Sequence, residues 1–274
     1  MLGLKKWRRR RLRNAPFPPA WLQILKKTFP LYRRLTEADR AELRGHIQVF
    51  LSEKRFEGCA GLEITDDIRV TVAAYACLLL LHRKTDYYPG LFSILVYPTG
   101  YAAPVAERGT HGFVIEGYQE RLGESWQHGA IVLSWDDAHF RATDIEEGKN
   151  LILHEFAHQL DQEDGVADGV PILDRSAAYV TWARILRAEY ERLRSDSQRN
   201  RETVLDKYGA TNPAEFFAVA TECFFAKPPR LRQKHPELYE ALKNFYRQDP
   251  AQYYDPPRAR KRIEKRRCES RRDQ

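Results

Sequence analysis

Cysteine is scarce in this chain. Its 274 residues hold four, Cys59, Cys77, Cys223 and Cys268, widely scattered and with no C-x-x-C pair. That excludes a disulfide framework and a zinc knuckle, and it fits a reducing compartment. The expectation is therefore a cytoplasmic protein. Long apolar runs are also missing. The longest, Val70 to Leu81, is interrupted by Thr71 and falls short of the ~20 residues a bilayer span requires. No apolar segment follows the basic run Lys5 to Arg13. Pro16, Pro18 and Pro19 stand there instead, so no secretory leader is expected. There is no internal repeat. No helix-turn-helix pattern or basic platform interleaved with aromatics is visible, so no specific nucleic-acid reader is expected.

Acid and base are unevenly placed. The net charge is +7, yet residues 1–13 alone carry seven Lys or Arg and no acid. Residues 256–274 carry nine Lys or Arg against three acids, so the residues between, 14–255, are net negative by about six. Basic ends can bind nucleic acid or anionic lipid. The expectation for both is solvated, disordered chain: a basic N-terminal arm over 1–14 and a tail over 256–274. Hydrophobic residues make up 43% of the whole, enough for a real core, and one domain over 1–255 is expected.

Residues 14–35 read as a Pro-rich entry and a short helix that docks through Trp21, Leu22 and Leu25. Thr36 is an N-cap signal with Asp39 three residues on. The helix it opens runs to about Ser52, with Leu43, Ile47, Phe50 and Leu51 inward. Residues 55–64, with two glycines, read as a loop. Thr65 caps a helix over about 66–82, with Asp66 and Asp67 where the dipole favours anions. Its apolar perimeter predicts a central position. Residues 91–97, 112–118 and 129–135 then read as short strands bounded by Gly or Pro. An exposed edge of such a sheet could pair with an extended peptide, or be an ordinary capped edge. The acids of loop 162–171 lack EF-hand spacing and read as turn chemistry. Helices follow over about 177–195, capped by Ser176, over 213–226, and over 236–248.

The stretch that carries chemistry is residues 151–161, LILHEFAHQLD. On a helix that begins near Asp144, His154 and His158 lie about 40° apart round the axis. Both imidazoles project from one face and can share one ion. Glu155 sits at the edge of that face, where a carboxylate reaches a metal-bound water without binding the metal. Ile152, Phe156 and Leu160 form the opposite, apolar side. This is the H-E-x-x-H arrangement of zinc hydrolases. Catalytic zinc needs a third protein ligand and an open position. Residues 208–225, YGATNPAEFFAVATECFF, offer candidates. Asn212 and Pro213 mark a helix start, which puts Glu215 in the first turn. Glu222 lies on the same face two turns on. One would ligate and the other support, or Glu215 would serve only as a capping-box partner for Asn212.

The two segments together, with EGCAGLEIT and NLILHEFAHQLD upstream, resemble the Mlc titration factor A family over roughly residues 20–255. The family is one of bacterial cytosolic zinc peptidases with a lethal-factor-like catalytic core. The resemblance implies an α+β fold: a predominantly helical, zincin-like metallopeptidase with a small mixed sheet beside the HExxH helix. It implies one Zn2+ held by His154, His158 and Glu215, with Glu155 as general base and Tyr208 stabilising the oxyanion. Glu222 and Asp161 match family positions whose role the pattern leaves open. Asp161, on the face of the histidines, could orient an imidazole. The activity implied is aminopeptidase-like hydrolysis of a peptide substrate. The partner implied is the glucose-responsive repressor Mlc, and through it the sugar phosphotransferase genes. A repressor-binding protein whose peptidase activity is secondary is the alternative. The Arg-rich extension from about Pro256 falls outside the resemblance.

Overall fold

A computed structural model describes residues 2–99, 101–108, 114–121, 123–126, 129–138 and 149–254. The architecture is α+β and mainly helical, with a small mixed sheet beside the helix that carries the two histidines.

The N-terminal part of the chain carries helices α1 (Leu2–Arg13), α2 (Pro19–Thr28), α3 (Glu37–Glu53) and α4 (Asp66–Leu78). Two begin on the expected caps. The Thr36 hydroxyl accepts from Asp39 N, and the Thr65 hydroxyl accepts from Ile68 N. Each such cap satisfies an orphan donor and is worth about 1 kcal/mol. Every residue from Val70 to Leu81 is buried, as an apolar perimeter requires of a central helix.

The N-terminal arm corrects the expectation of disorder. It is helix α1, laid on α3. Arg9 makes a two-pronged ion pair with Glu53, 2.8 Å on each prong, and its guanidinium sits 4.7 Å over the Tyr87 ring. Gly45 permits the approach, since a Cβ there would lie 3.2 Å from the Arg13 carbonyl oxygen. The basic tail from residue 255 lies outside the described residues.

The sheet has the order β1-β2-β6-β5. Strands β1 (Arg55–Gly58), β2 (Ser93–Tyr97) and β6 (Ala130–Ser134) run parallel, and β5 (Gly123–Trp126) is antiparallel to β6 at the edge. A separate hairpin pairs β3 (Tyr101–Arg108) with β4 (Val114–Arg121). Residues 55–58 are thus strand, not loop. Their side chains are mostly exposed, so no apolar alternation announces them. Strands β3 and β5 also went unannounced. The first carries Pro104, a residue that argues against an interior strand but is tolerated at an edge.

From residue 149 on, the described helices are α5 (Leu151–Asp161), α6 (Ser176–Gln198), α7 (Pro213–Ala226), α8 (Pro228–Lys234) and α9 (Pro236–Tyr246). Helix α5 starts at Leu151, not near Asp144, because Asn150 is extended and its side chain accepts from Leu153 N. Residues 139–148 lie outside the described residues. Ser176 is the first residue of α6 and not its cap; Arg175 precedes it without a side-chain cap.

Two packings hold the site. The ring of Phe156 on α5 meets Tyr88 at 5.0 Å and Phe50 on α3 at 5.7 Å, both edge-on. All three rings are buried, and losing one such ring costs about 3–5 kcal/mol. On the other side α5 packs against α7, which is buried over nearly its whole length.

Candidate metal centre

Helices α5 and α7 bring three ligand atoms to one point. His154 Nε2 lies 3.0 Å from Glu215 Oε2 and 3.2 Å from His158 Nε2, and His158 Nε2 lies 3.4 Å from the same carboxylate oxygen. Donors about 2.0–2.1 Å from a tetrahedral ion sit about 3.3 Å from one another. The triangle therefore has the edge lengths of one face of such a tetrahedron. It is the one His/Cys/Asp/Glu cluster of this kind among the described residues. Glu215 is placed by its cap: Asn212 Oδ1 accepts the Glu215 N–H at 2.9 Å, and Pro213 takes the first helical position. Capping and convergence on the imidazoles thus coexist in one residue.

Glu222 faces the other nitrogen of His154. Its Oε1 lies 2.7 Å from His154 Nδ1, and its Oε2 accepts the Asn150 N–H. A proton held on Nδ1 by this carboxylate leaves Nε2 with its lone pair toward the shared point, the usual orientation of a ligating imidazole. Glu215 and Glu222, indistinguishable by helical position, are separated by which nitrogen each faces.

Asp161 makes no hydrogen bond to an imidazole among the described residues. Its Oδ2 accepts the Gly169 N–H at 2.9 Å, so it anchors the loop that follows α5. Gly169 has φ +79°, and a Cβ there would lie 2.5 Å from the Pro213 carbonyl oxygen. The Trp182 indole N–H donates to the Gly169 carbonyl at 3.2 Å. The loop is thereby wedged between the end of the histidine helix and the start of the carboxylate helix. Asp164 and Asp168 close turns onto Val166 N and Val170 N, the turn chemistry expected of this segment.

Electrostatics favour a cation at the shared point. Burial opposes a charged His154, yet the hydrogen bonds of Glu215 and Glu222 raise its pKa well above the ordinary value. Burial also pushes Glu215 up, but His154 and His158 outweigh it and bring the carboxyl down to about 2. Glu155 goes the other way. Burial lifts it to about 7 against the pull of both imidazoles. Its Oε2 is buried and makes no hydrogen bond among the described residues. An orphaned carboxylate oxygen beside three converging donors fits a site built around an ion and its water.

Tyr208 lies near His154. It is 56% exposed, with its ring 6.1 Å from that of His154. It lies on a 3-10 turn, Lys207–Ala210, capped by Asp206 Oδ1 accepting from Tyr208 N at 2.8 Å. A 2.6 Å ion pair from Lys149 to Asp206 ties this turn to the entry of α5. Sequence reasoning missed Asn150, Gly169 and Trp182. Asn150 alone carried a signal, as a good N-cap type directly before the apolar-periodic run.

The model of the glucose-regulated metallo-peptidase M90 family matches residues 4–247. The chain belongs to this family. It is 42% identical over 246 residues to an uncharacterized protein of Synechocystis, covering 89% of each chain. It is 33% identical over 241 residues to Mlc titration factor A of Klebsiella pneumoniae, covering 86% of this chain and 88% of that one. To Mlc titration factor A of Salmonella arizonae it is 33% identical over 236 residues, 85% and 92% of the two chains. As a member of the M90 family the chain is a metallopeptidase, for which a metal ion is implied. No described helix is long and apolar enough to cross a membrane.

Proposed function

We propose that this chain is a zinc-dependent, aminopeptidase-like peptidase. The observation that carries the reading is the triangle of His154 Nε2, His158 Nε2 and Glu215 Oε2 with edges of 3.0–3.4 Å. Two imidazoles and one carboxylate are a common protein ligand set of catalytic zinc. A zinc ion held there would supply a water acidic near neutral pH and a Lewis acid for the scissile carbonyl.

The remaining work falls to the chain's own groups. Glu155, with its unpartnered Oε2 and a pKa near 7, takes the proton that the attacking water loses. It then returns that proton to the leaving amine, a transfer favoured when the pKa lies close to the working pH. The Tyr208 hydroxyl donates to the carbonyl oxygen as negative charge gathers on it. Glu222 fixes the tautomer of His154. Cytoplasmic location is part of the proposal.

A second reading rests on the name shared by several relatives, Mlc titration factor A. On it, the chain binds an Mlc-like repressor of sugar phosphotransferase genes, and peptide hydrolysis is secondary.

The Glu155→Gln variant tests the first reading and separates the two. It should keep its zinc and lose turnover of short peptides, while any repressor binding survives. Peptide hydrolysis at the wild-type rate would remove Glu155 as the base. Cleavage of free but not N-acetylated peptides is expected of an aminopeptidase; equal cleavage of both would point to an endopeptidase.

A further inference from the structure

Helix α1 (Leu2–Arg13) has the sequence LGLKKWRRRRLR, with seven basic residues and no acid. Its two sides differ. The inner side is committed to the body. Arg9 is paired with Glu53 and Asp86, Lys5 reaches Asp86 at 3.0 Å, Arg8 donates to the Ser52 carbonyl, and Leu12 packs against the core.

The outer side has no such partners. Leu4 is 75% exposed and Trp7 61%. They are spaced three apart, with Arg11 four further on, and so form one stripe. The Arg11 guanidinium lies 5.8 Å from the Trp7 ring. Lys6 and Arg10 lie along one side of the stripe, exposed, with no ion pair to any described residue. The exposed Trp and Leu are neighbours and form one apolar patch, with three cations on or beside it.

We propose that the outer face of α1 is a docking surface for a bilayer containing anionic lipid. Charge complementarity selects an anionic partner. Shape selects a bilayer. A single convex helix offers no groove for a peptide, and the exposed Leu4 and Trp7 at the centre of the face suit acyl chains rather than a phosphate backbone. A basic helix lying in the plane of an anionic surface puts Trp and Leu among the acyl chains and its cations among the headgroups. The rigid ties of Arg9 and Lys5 would hold the body against that surface. Attachment is peripheral and reversible, and it is independent of the peptidase reading.

The test is co-sedimentation of the full chain with phosphatidylcholine vesicles and with vesicles that also contain phosphatidylglycerol. Binding should need the anionic lipid and weaken with salt. Each basic side chain near such a surface is worth about a factor of five, so Lys6→Gln/Arg10→Gln/Arg11→Gln should cost roughly a hundredfold. Leu4→Ala/Trp7→Ala should cost at least about tenfold, with the melting temperature of each variant unchanged. In the wild-type protein, brominated anionic lipid should quench tryptophan emission. The proposal is overturned by failure to bind, equal binding to neutral vesicles, absent quenching, or variants that bind like wild type, which would assign binding to the basic tail. Duplex DNA bound in place of vesicles, with the same dependence on these residues, would overturn it in favour of nucleic acid.

Discussion

Two clusters in this molecule are built from the same side chains, and only one has the geometry of a metal site. On α5 and α7, two histidines and two carboxylates leave two imidazole nitrogens and one oxygen aimed at a common point. Just after α4, His82 places Nε2 3.0 Å from Asp39 and Nδ1 3.3 Å from Glu42, while His46 faces Glu42 at 3.2 Å and the Tyr87 hydroxyl at 2.8 Å. Both nitrogens of each imidazole are used in pairs, so none is left for an ion. The contrast shows that composition does not make a metal site. What matters is that both rings keep Nε2 for a shared centre, while His154 gives its other nitrogen to a supporting carboxylate.

The largest effect should separate the two clusters outright. His154→Ala or Glu215→Ala removes a ligand and should weaken metal binding on the order of a thousandfold, out of the roughly 10–16 kcal/mol that a complete zinc site supplies. His46→Ala and His82→Ala should leave metal affinity unchanged. Competition with a chelating dye reads both. Next comes Glu222→Gln, which keeps the size of the side chain but weakens the hold on His154 Nδ1. A loss of about 10–100-fold in metal affinity is expected, and an unchanged affinity would reduce Glu222 to a packing residue.

A smaller effect is expected at the wedge. Gly169→Ala must strain a left-handed residue and push the Pro213 carbonyl away. Chemical denaturation should show a loss of about 2 kcal/mol or more, with metal affinity reduced severalfold because α5 and α7 shift relative to each other. An unchanged metal affinity in a destabilised protein would confine Gly169 to folding.

The least effect belongs to the paired cluster and is read in pH. The His46 hydrogen bond, with the His82 backbone N–H, brings Glu42 down to about 2 against the effect of burial. A folded-state pKa below the unfolded value contributes stability that is complete above about 4.5 and lost as pH falls toward 2. The melting temperature of wild type should fall through that window more steeply than that of Glu42→Gln.

How legible the molecule was depended on whether the deciding contact is local. Helix starts at Thr36, Thr65 and Asn212 were readable because a cap is made within three residues. The strand at Arg55–Gly58 was not, since its partner Ser93–Tyr97 is remote and its own side chains are mostly exposed. The spacing of His154, His158 and Glu155 was readable for the same local reason. Which nitrogen of His154 is faced by Glu215 and which by Glu222 was not, because seven residues return to the same helix face and only the placement of α5 against α7 tells them apart. Asp161 was misread because its partner is a loop N–H, which no pattern of side chains announces. Arg9 was misread with its neighbours because a run of seven cations looks solvated until Glu53 and Asp86 are placed beside one of them.

X-ray absorption at the zinc edge, on the protein as purified, tests the central claim most directly. The account predicts one ion per chain with two imidazole nitrogens at about 2.0–2.1 Å, oxygen donors in the remaining positions and no sulfur. A spectrum with thiolate, a third imidazole, or no bound ion would contradict it.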